Sequence, residues 1–200
     1  MSELALRYAR FAGRHPIVLS VPRGGVTRVH LPNGTAKSHL VTAVLKARGG
    51  TGEELELLGA ATAGLNGRGR ERLRRRVGAI SPVVGLINNL NAWENISLPA
   101  AYHGSPPLER VAEIAHHVLE RFGAEPQAFL ARLPDDLTPL ERKIAAFARL
   151  LVAAPELVVF DALGEGLSRQ ESARISGFEA EYRSRQPGGT LLYVDVMEDS

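Results

Sequence analysis

Residues 31–40 read Leu-Pro-Asn-Gly-Thr-Ala-Lys-Ser-His-Leu, and the interpretation of this stretch decides the fold. It has the spacing G-x-x-x-x-G-K-[ST] of a loop that cradles phosphate, with both glycines replaced. Leu31 stands at the first and Ala36 at the second, while Lys37 and Ser38 are kept. In such a loop, backbone N–H groups at a helix N-terminus hold the anion. The lysine reaches the outer phosphates and the hydroxyl holds Mg²⁺. Glycine is needed where the backbone passes closest to the ligand or turns sharply. Asn33, Gly34, Thr35, Ala36, Lys37, Ser38 and His39 are therefore candidate nucleotide-binding residues of a degenerate loop. Ala36 adds a Cβ at the closest approach, and His39 sits where it would perturb phosphate binding. A plain strand–turn–helix connection is the competing reading of the same residues.

Outward from this loop, strands and helices alternate. Residues 16–30 predict two short strands around a Pro-Arg-Gly-Gly turn. A helix is predicted from Lys37 to Arg48, stopped by Gly49 and Gly50. A short strand follows near Val77–Ile80, then helices at Leu108–Phe122 and Thr138–Ala153. Leu157–Phe160 is a continuous apolar run ending in Asp161, as expected of a strand buried on both faces of a parallel sheet. A helix over Arg169–Arg183 and a last strand over Thr190–Val194 complete the pattern. This is an α/β arrangement, with ligands expected beyond the carboxyl ends of the strands. Residues 31–38 and Asp161 both fall there.

Composition is that of a globular protein, 44% hydrophobic and 23% charged, with a net charge of only +2. No apolar segment is long enough to cross a bilayer, and residues 1–14 lack the apolar core of a secretory signal. There is no cysteine, which excludes disulfides, thiolate metal sites and a thiol nucleophile. A cytoplasmic setting is the simplest expectation. Of the 24 basic residues 21 are arginine, and six cluster at Arg68, Arg70, Arg72, Arg74, Arg75 and Arg76. No aromatic lies between Arg48 and Trp93 to stack on bases, so nucleic acid is not expected. The cluster reads as a solvated or phospholipid-facing arginine surface.

Five segments, taken in order, resemble the ATP-binding subunit of an ATP-binding cassette (ABC) transporter. They are the loop and its helix, VGAISPVVGLINNLNAWENISLP, LTPLERKIAAFARLL, ELVVFDALGEGLS and GGTLLYVDVM. The resemblance covers nearly the whole chain. It implies an ABC ATPase fold related to P-loop NTPases, a single domain over residues 1–200. Its mostly parallel sheet is flanked by helices, with a small N-terminal antiparallel part and a helical subdomain at about 86–153.

The resemblance also assigns roles, and most of the aligned residues do not suit them. Ser38 and Asp161 match the family's Mg²⁺-holding positions. The glutamine that contacts Mg²⁺ and water aligns with Pro82. The signature LSGGQ aligns with Leu137, Thr138, Pro139, Leu140 and Glu141. Pro139 has no N–H to offer and Leu140 adds bulk, whereas Thr138 and Glu141 form a capping box with Pro139 in the first helical position. The glutamate that positions the attacking water aligns with Ala162, and the switch histidine with Val196. Ser168 replaces an aspartate of the dimer-contact loop. Tyr8 and Phe11 are both candidates for stacking on adenine. His116 and His117, adjacent on one helix, make a poor metal pair. The chain end after the last strand reads as short.

The losses imply a non-hydrolysing subunit with no catalytic residues, binding ATP and Mg²⁺ weakly or not at all. It would act as a structural or regulatory part of a membrane transport complex. Its partners would be a transmembrane subunit, another ATP-binding subunit, or both, docked through about 86–102, at the inner face of the membrane. Because both halves of a shared nucleotide site are altered, pairing with an active homologue would degrade both composite sites. The alternative is a divergent, active ATPase in which Glu165 or Asp195 serves as base. The segment NLNAWENISLPAAYHG is similar to that of subunits of bacterial lipid- or lipoprotein-moving systems.

Overall fold

A computed structural model describes residues 3–11 and 16–197. The chain forms two compact units, one of residues 1–81, 155–163 and 186–200, the other of residues 82–154 and 164–185.

The first unit holds two four-stranded sheets. In the antiparallel sheet the order is β2 (Ile17–Pro22), β1 (Leu4–Arg10), β4 (Glu53–Leu57) and β5 (Ala60–Ala61). In the parallel sheet it is β3 (Val26–Leu31), β8 (Thr190–Val196), β7 (Leu157–Asp161) and β6 (Val77–Ile80). Every residue of β7 is buried, as its unbroken apolar run requires. The Pro-Arg-Gly-Gly turn does not close a hairpin; it hands the chain from one sheet to the other. Gly24 makes that turn with φ +70 and donates its N–H to the Thr190 hydroxyl at 3.0 Å.

Helix α1 spans Gly34–Lys46 and buries Ala36, Leu40, Val41, Ala43 and Val44. It starts three residues before the expected point and ends before Gly49. Ala47 caps it in the left-handed conformation, with φ 47, and its N–H returns to the carbonyls of Ala43 and Val44. Helix α2 (Gly67–Arg74), with no apolar periodicity to reveal it, buries only Leu73. The antiparallel sheet is larger than its sequence suggests because β1 and β4 mix glutamate and arginine into their alternation.

The second unit is helical. Helix α3 (Ala92–His103) was not predicted, because Pro99 lies inside it. Its Asn91–Glu94 capping box fixes the start. Helix α4 (Leu108–Arg121) buries Val111, Ile114, Ala115, Val118 and Leu119, the spacing of one helical face. After the short α5 (Pro126–Leu130) comes α6 (Pro139–Ala153), capped by Thr138 as its sequence requires. The helix expected over Arg169–Arg183 is two, α7 (Arg169–Ile175) and α8 (Phe178–Arg185). They divide at Gly177, where a Cβ would come within 3.2 Å of the Phe122 ring. That ring belongs to the unit's core, edge-on to Phe147 and Phe178, which stack at 4.0 Å. The expectation about the chain end falls on residues 198–200, which lie outside the described residues.

One buried carboxylate ties α4 to α8. Glu181 receives Arg185 at 2.6 Å, His117 at 3.1 Å and Arg121 at 3.2 Å. Burial alone would raise the Glu181 carboxyl, but the bonds from Arg185 and His117 outweigh it and hold it below the usual carboxylate range. A depressed folded value means stability that is present above the ordinary carboxylate range and lost as pH falls through the folded value. Glu181→Gln should therefore cost about 2 kcal/mol at pH 7. The cost should shrink below about pH 4, as read by urea denaturation at both pH values.

Candidate functional site

At the carboxyl edge of the parallel sheet, three segments meet on Asp161. Lys37 Nζ lies 2.8 Å from its Oδ1, in an ion pair too oblique for a hydrogen bond. The Ser81 hydroxyl donates to its Oδ2 at 2.5 Å. The structure thus brings Lys37 and Asp161 together and adds Ser81, which sequence reasoning missed. The available signal was a small hydroxyl directly after a strand that ends at the same sheet edge. Lys37 and Asp161 are largely enclosed, with side chains 15% and 5% exposed, so each neutralises the other where water screens poorly.

The loop itself is wound up. Residues 34–36, which in an anion-wrapping loop lie outside the helix, form the first turn of α1. Asn33 caps that turn: its side-chain oxygen takes the Ala36 N–H at 2.9 Å, and its carbonyl takes the Lys37 N–H at 3.2 Å. Gly34 and Thr35 keep N–H groups that a helix leaves unused in its first turn. Leu31 and Ala36, the two glycine replacements, are 6% and 3% exposed and belong to the hydrophobic core of the unit. Their side chains are packing groups.

The loop residues also face different clefts. Asn33, Thr35 and Ala36 line one of about 910 Å³, with Arg10, Val18 and Met197 at its walls. Ser38 and His39 line another of about 630 Å³, with Thr42, Lys46 and Glu53. His39 is turned to Glu53, its Nδ1 2.9 Å from a carboxylate oxygen. Tyr8 is wholly buried and its ring has no face free for a ligand. Burial, with Glu53 beside it, pushes its phenol well above the ordinary tyrosine range. Phe11 is 60% exposed.

Val196 lies in register with Leu31 across β8 and β3, and Asp195 with His30. Ala162, expected in the water-positioning place, has φ 48 and donates its N–H to the Val194 carbonyl at 3.0 Å. It offers a methyl group and no acid–base chemistry.

In the second unit, the Pro82 loop is gripped from behind by Arg149, whose guanidinium donates to the carbonyls of Val84 and Gly85 at 3.1 and 3.0 Å. Burial lowers this guanidinium's affinity for its proton. Asn95, fully buried, satisfies the carbonyls of Ile87, Leu90 and Asn91 and accepts the Ile87 N–H. That side chain, unremarked in the sequence, holds the shape of residues 87–91. Trp93 is half-buried. At the start of α6, the Glu141 carboxylate accepts the Thr138 N–H at 2.8 Å and Arg132 at 2.7 Å. Burial raises its pKa, but Arg132 and Thr138 outweigh this and hold it low. Thr138 accepts the Glu141 N–H at 3.2 Å, and Leu140 is buried. Ser168 caps α7 in the same way, paired with Glu171. Glu165 is exposed, as is Ser38. Among the described residues, no group of three or more metal-ligating side chains comes together.

Residues 15–162 match the family model described as ABC transporter. A lipoprotein-releasing system ATP-binding protein LolD of Alcanivorax borkumensis is 29% identical over 170 residues, covering 84% of this chain and 73% of that protein. A methionine import ATP-binding protein MetN of Xanthomonas euvesicatoria is 26% identical over 90% of this chain, which spans only 52% of MetN. In fold, the chain is similar to the dimeric ATP-binding cassette MJ0796 bound to ADP and Pi, with a TM-score of 0.72 at 21% identity over 98% of this chain and 88% of that one.

Two substitutions test this geometry by stability. Leu31→Gly should cost about 3 kcal/mol or more, as removal of a core side chain does. Ala162→Gly should gain about 1 kcal/mol by relieving the left-handed backbone. Denaturant midpoints read both, and an unchanged midpoint for Leu31→Gly would show that this position does not pack.

Proposed function

We propose, from the premise that this chain belongs to the ABC transporter family and carries its ATP-binding domain, that it is a non-hydrolysing subunit retained for its surfaces. The observation that carries this reading is the Lys37–Asp161 ion pair beneath a loop already wound into helix. An incoming triphosphate would have to unwind the first turn of α1, displace Asn33 from Ala36 and part Lys37 from Asp161. It would also have to draw Leu31 or Ala36 out of the core. Each step opposes binding, and nothing at Ala162, Pro82 or Val196 recovers the loss through chemistry. Mg²⁺ and ATP therefore do not fit these residues as they stand, and no catalytic step is routed through them.

The same reading gives the subunit its partners. A transmembrane subunit, a second ATP-binding subunit, or both, would dock through residues 86–102, where Asn95 stiffens the backbone, with Arg149 holding Val84 and Gly85 just ahead of it, while Ile87 and Tyr102 stay exposed. Among the described residues no helix is long and apolar enough to cross a membrane. A peripheral position at the inner face follows from the proposed partner. The likeness to LolD makes a lipoprotein-moving system the first cargo to test.

Calorimetric titration with ATP, with and without Mg²⁺, decides the central point. The expected result is no saturable binding below millimolar ATP, no phosphate release, and no difference between wild type and Lys37→Ala. Mg²⁺-dependent turnover that disappears in Lys37→Ala would sink the proposal. Loss of that turnover in Asp195→Asn or Glu165→Gln would then identify a divergent base.

A further inference from the structure

The arginine run ahead of β6 plays no part in the nucleotide loop. Arg74 and Arg75 share one carboxylate, Glu71, at 2.7 and 3.7 Å, and Arg76 makes a two-pronged bond to Glu156 at 2.6 and 2.7 Å. Among the described residues no ion pair engages Arg68, Arg70 or Arg72. Six arginines thus meet two carboxylates. Arg68, Arg72 and Arg75 follow the i, i+4, i+7 spacing of one helical face, opposite the single buried residue Leu73, and all three are exposed.

Helix α2 is also poorly justified by the fold. It is polar all round apart from Leu73, and both Gly67 and Gly69 lie within its first turn. Each glycine disfavours a helix relative to alanine. Such a helix contributes little to a core and presents a dense array of guanidinium groups, whose planar forks suit phosphate oxygens.

We propose that the outer face of α2 is a contact surface for an anionic phospholipid membrane. The inference rests on membership in a membrane transport family and not on the state of the nucleotide loop. Phospholipid fits better than nucleic acid because α2 and its flanks have no aromatic side chain on which a base could stack. It carries no exposed apolar side chain to insert, so the attraction is Coulombic and screened by salt. An arginine near an anionic leaflet adds roughly fivefold to binding, so three together give about 100-fold.

The test is flotation of the purified chain with vesicles of phosphatidylcholine alone or with about one third phosphatidylglycerol. The expected result is binding to the anionic vesicles only, falling steeply between 50 and about 300 mM salt. The triple variant Arg68→Gln, Arg72→Gln, Arg75→Gln should lose about 100-fold with a nearly unchanged melting temperature, because all three side chains are exposed and only Arg75 has a partner, a surface pair with Glu71 at 3.7 Å that contributes little to stability. Arg76→Gln should do the reverse, lowering the melting temperature while vesicle binding persists. Equal binding of wild type and triple variant, equal binding to neutral vesicles, or tighter binding to a single-stranded RNA or to polyglutamate than to the vesicles would each overturn the assignment.

Discussion

A carboxylate at the end of a fully buried strand must be neutralised, and in this chain that need is met from within. Asp161 closes β7, takes the Ser81 hydroxyl from the end of β6 and faces Lys37 from the first helix. Three segments far apart in sequence are therefore fixed at one sheet edge by one charge. Breaking such an enclosed pair by removing one partner leaves an uncompensated charge, which costs far more than the pair contributes. The register of β8 beside β3 and beside β7 then determines what surrounds it: Leu31 opposite Val196, and Ala162 bonded to Val194.

The helix starts of this chain follow the same logic. An α-helix leaves its first N–H groups without partners, which is why anions gather at helix N-termini. Here Asn33 fills that role for α1, Glu141 and Thr138 for α6, and Glu171 and Ser168 for α7. Two of these carboxylates contribute negative charge at the positive end of a helix, where an external anion would gain the same field. A side chain tethered three residues away competes at a very high effective concentration. On the proposed reading, these starts stay capped without a ligand, which is what a subunit kept for its surfaces requires.

Much of the fold was legible because burial leaves a periodic trace. The run Leu157–Asp161 and the capping box at Thr138 could be read directly, and both are present as expected. Elements with mixed signals were not legible: α3 conceals its period behind Pro99, and α2 has almost no apolar face. For the candidate site, the pairing of Lys37 with Asp161 follows from sheet topology once the loop is recognised. The winding of residues 34–36 into helix does not, because Gly34 and Thr35 suit a loop as well as a first helical turn. The burial of Leu31 and Ala36 was equally hidden. A replaced glycine looks like damage in sequence, and only tertiary packing reveals that the new side chain has been taken into the core.

On the proposed reading, the residues that hold loop backbone and those at the ligand-facing positions answer to different physical demands. Asn95 and Arg149 touch backbone: each satisfies several carbonyls or amides of a loop that would otherwise have no fixed shape. Removing either would take the partners from several partly buried backbone groups and loosen the loop, an effect felt whether or not a ligand ever binds. On the proposed reading, Pro82, Ala162 and Val196 stand where a ligand would be touched and have no ligand to answer to, while Leu140, buried in α6, serves packing instead. Ala162 holds a left-handed backbone, φ 48, with only a methyl side chain, a local strain that on the proposed reading serves neither packing nor chemistry.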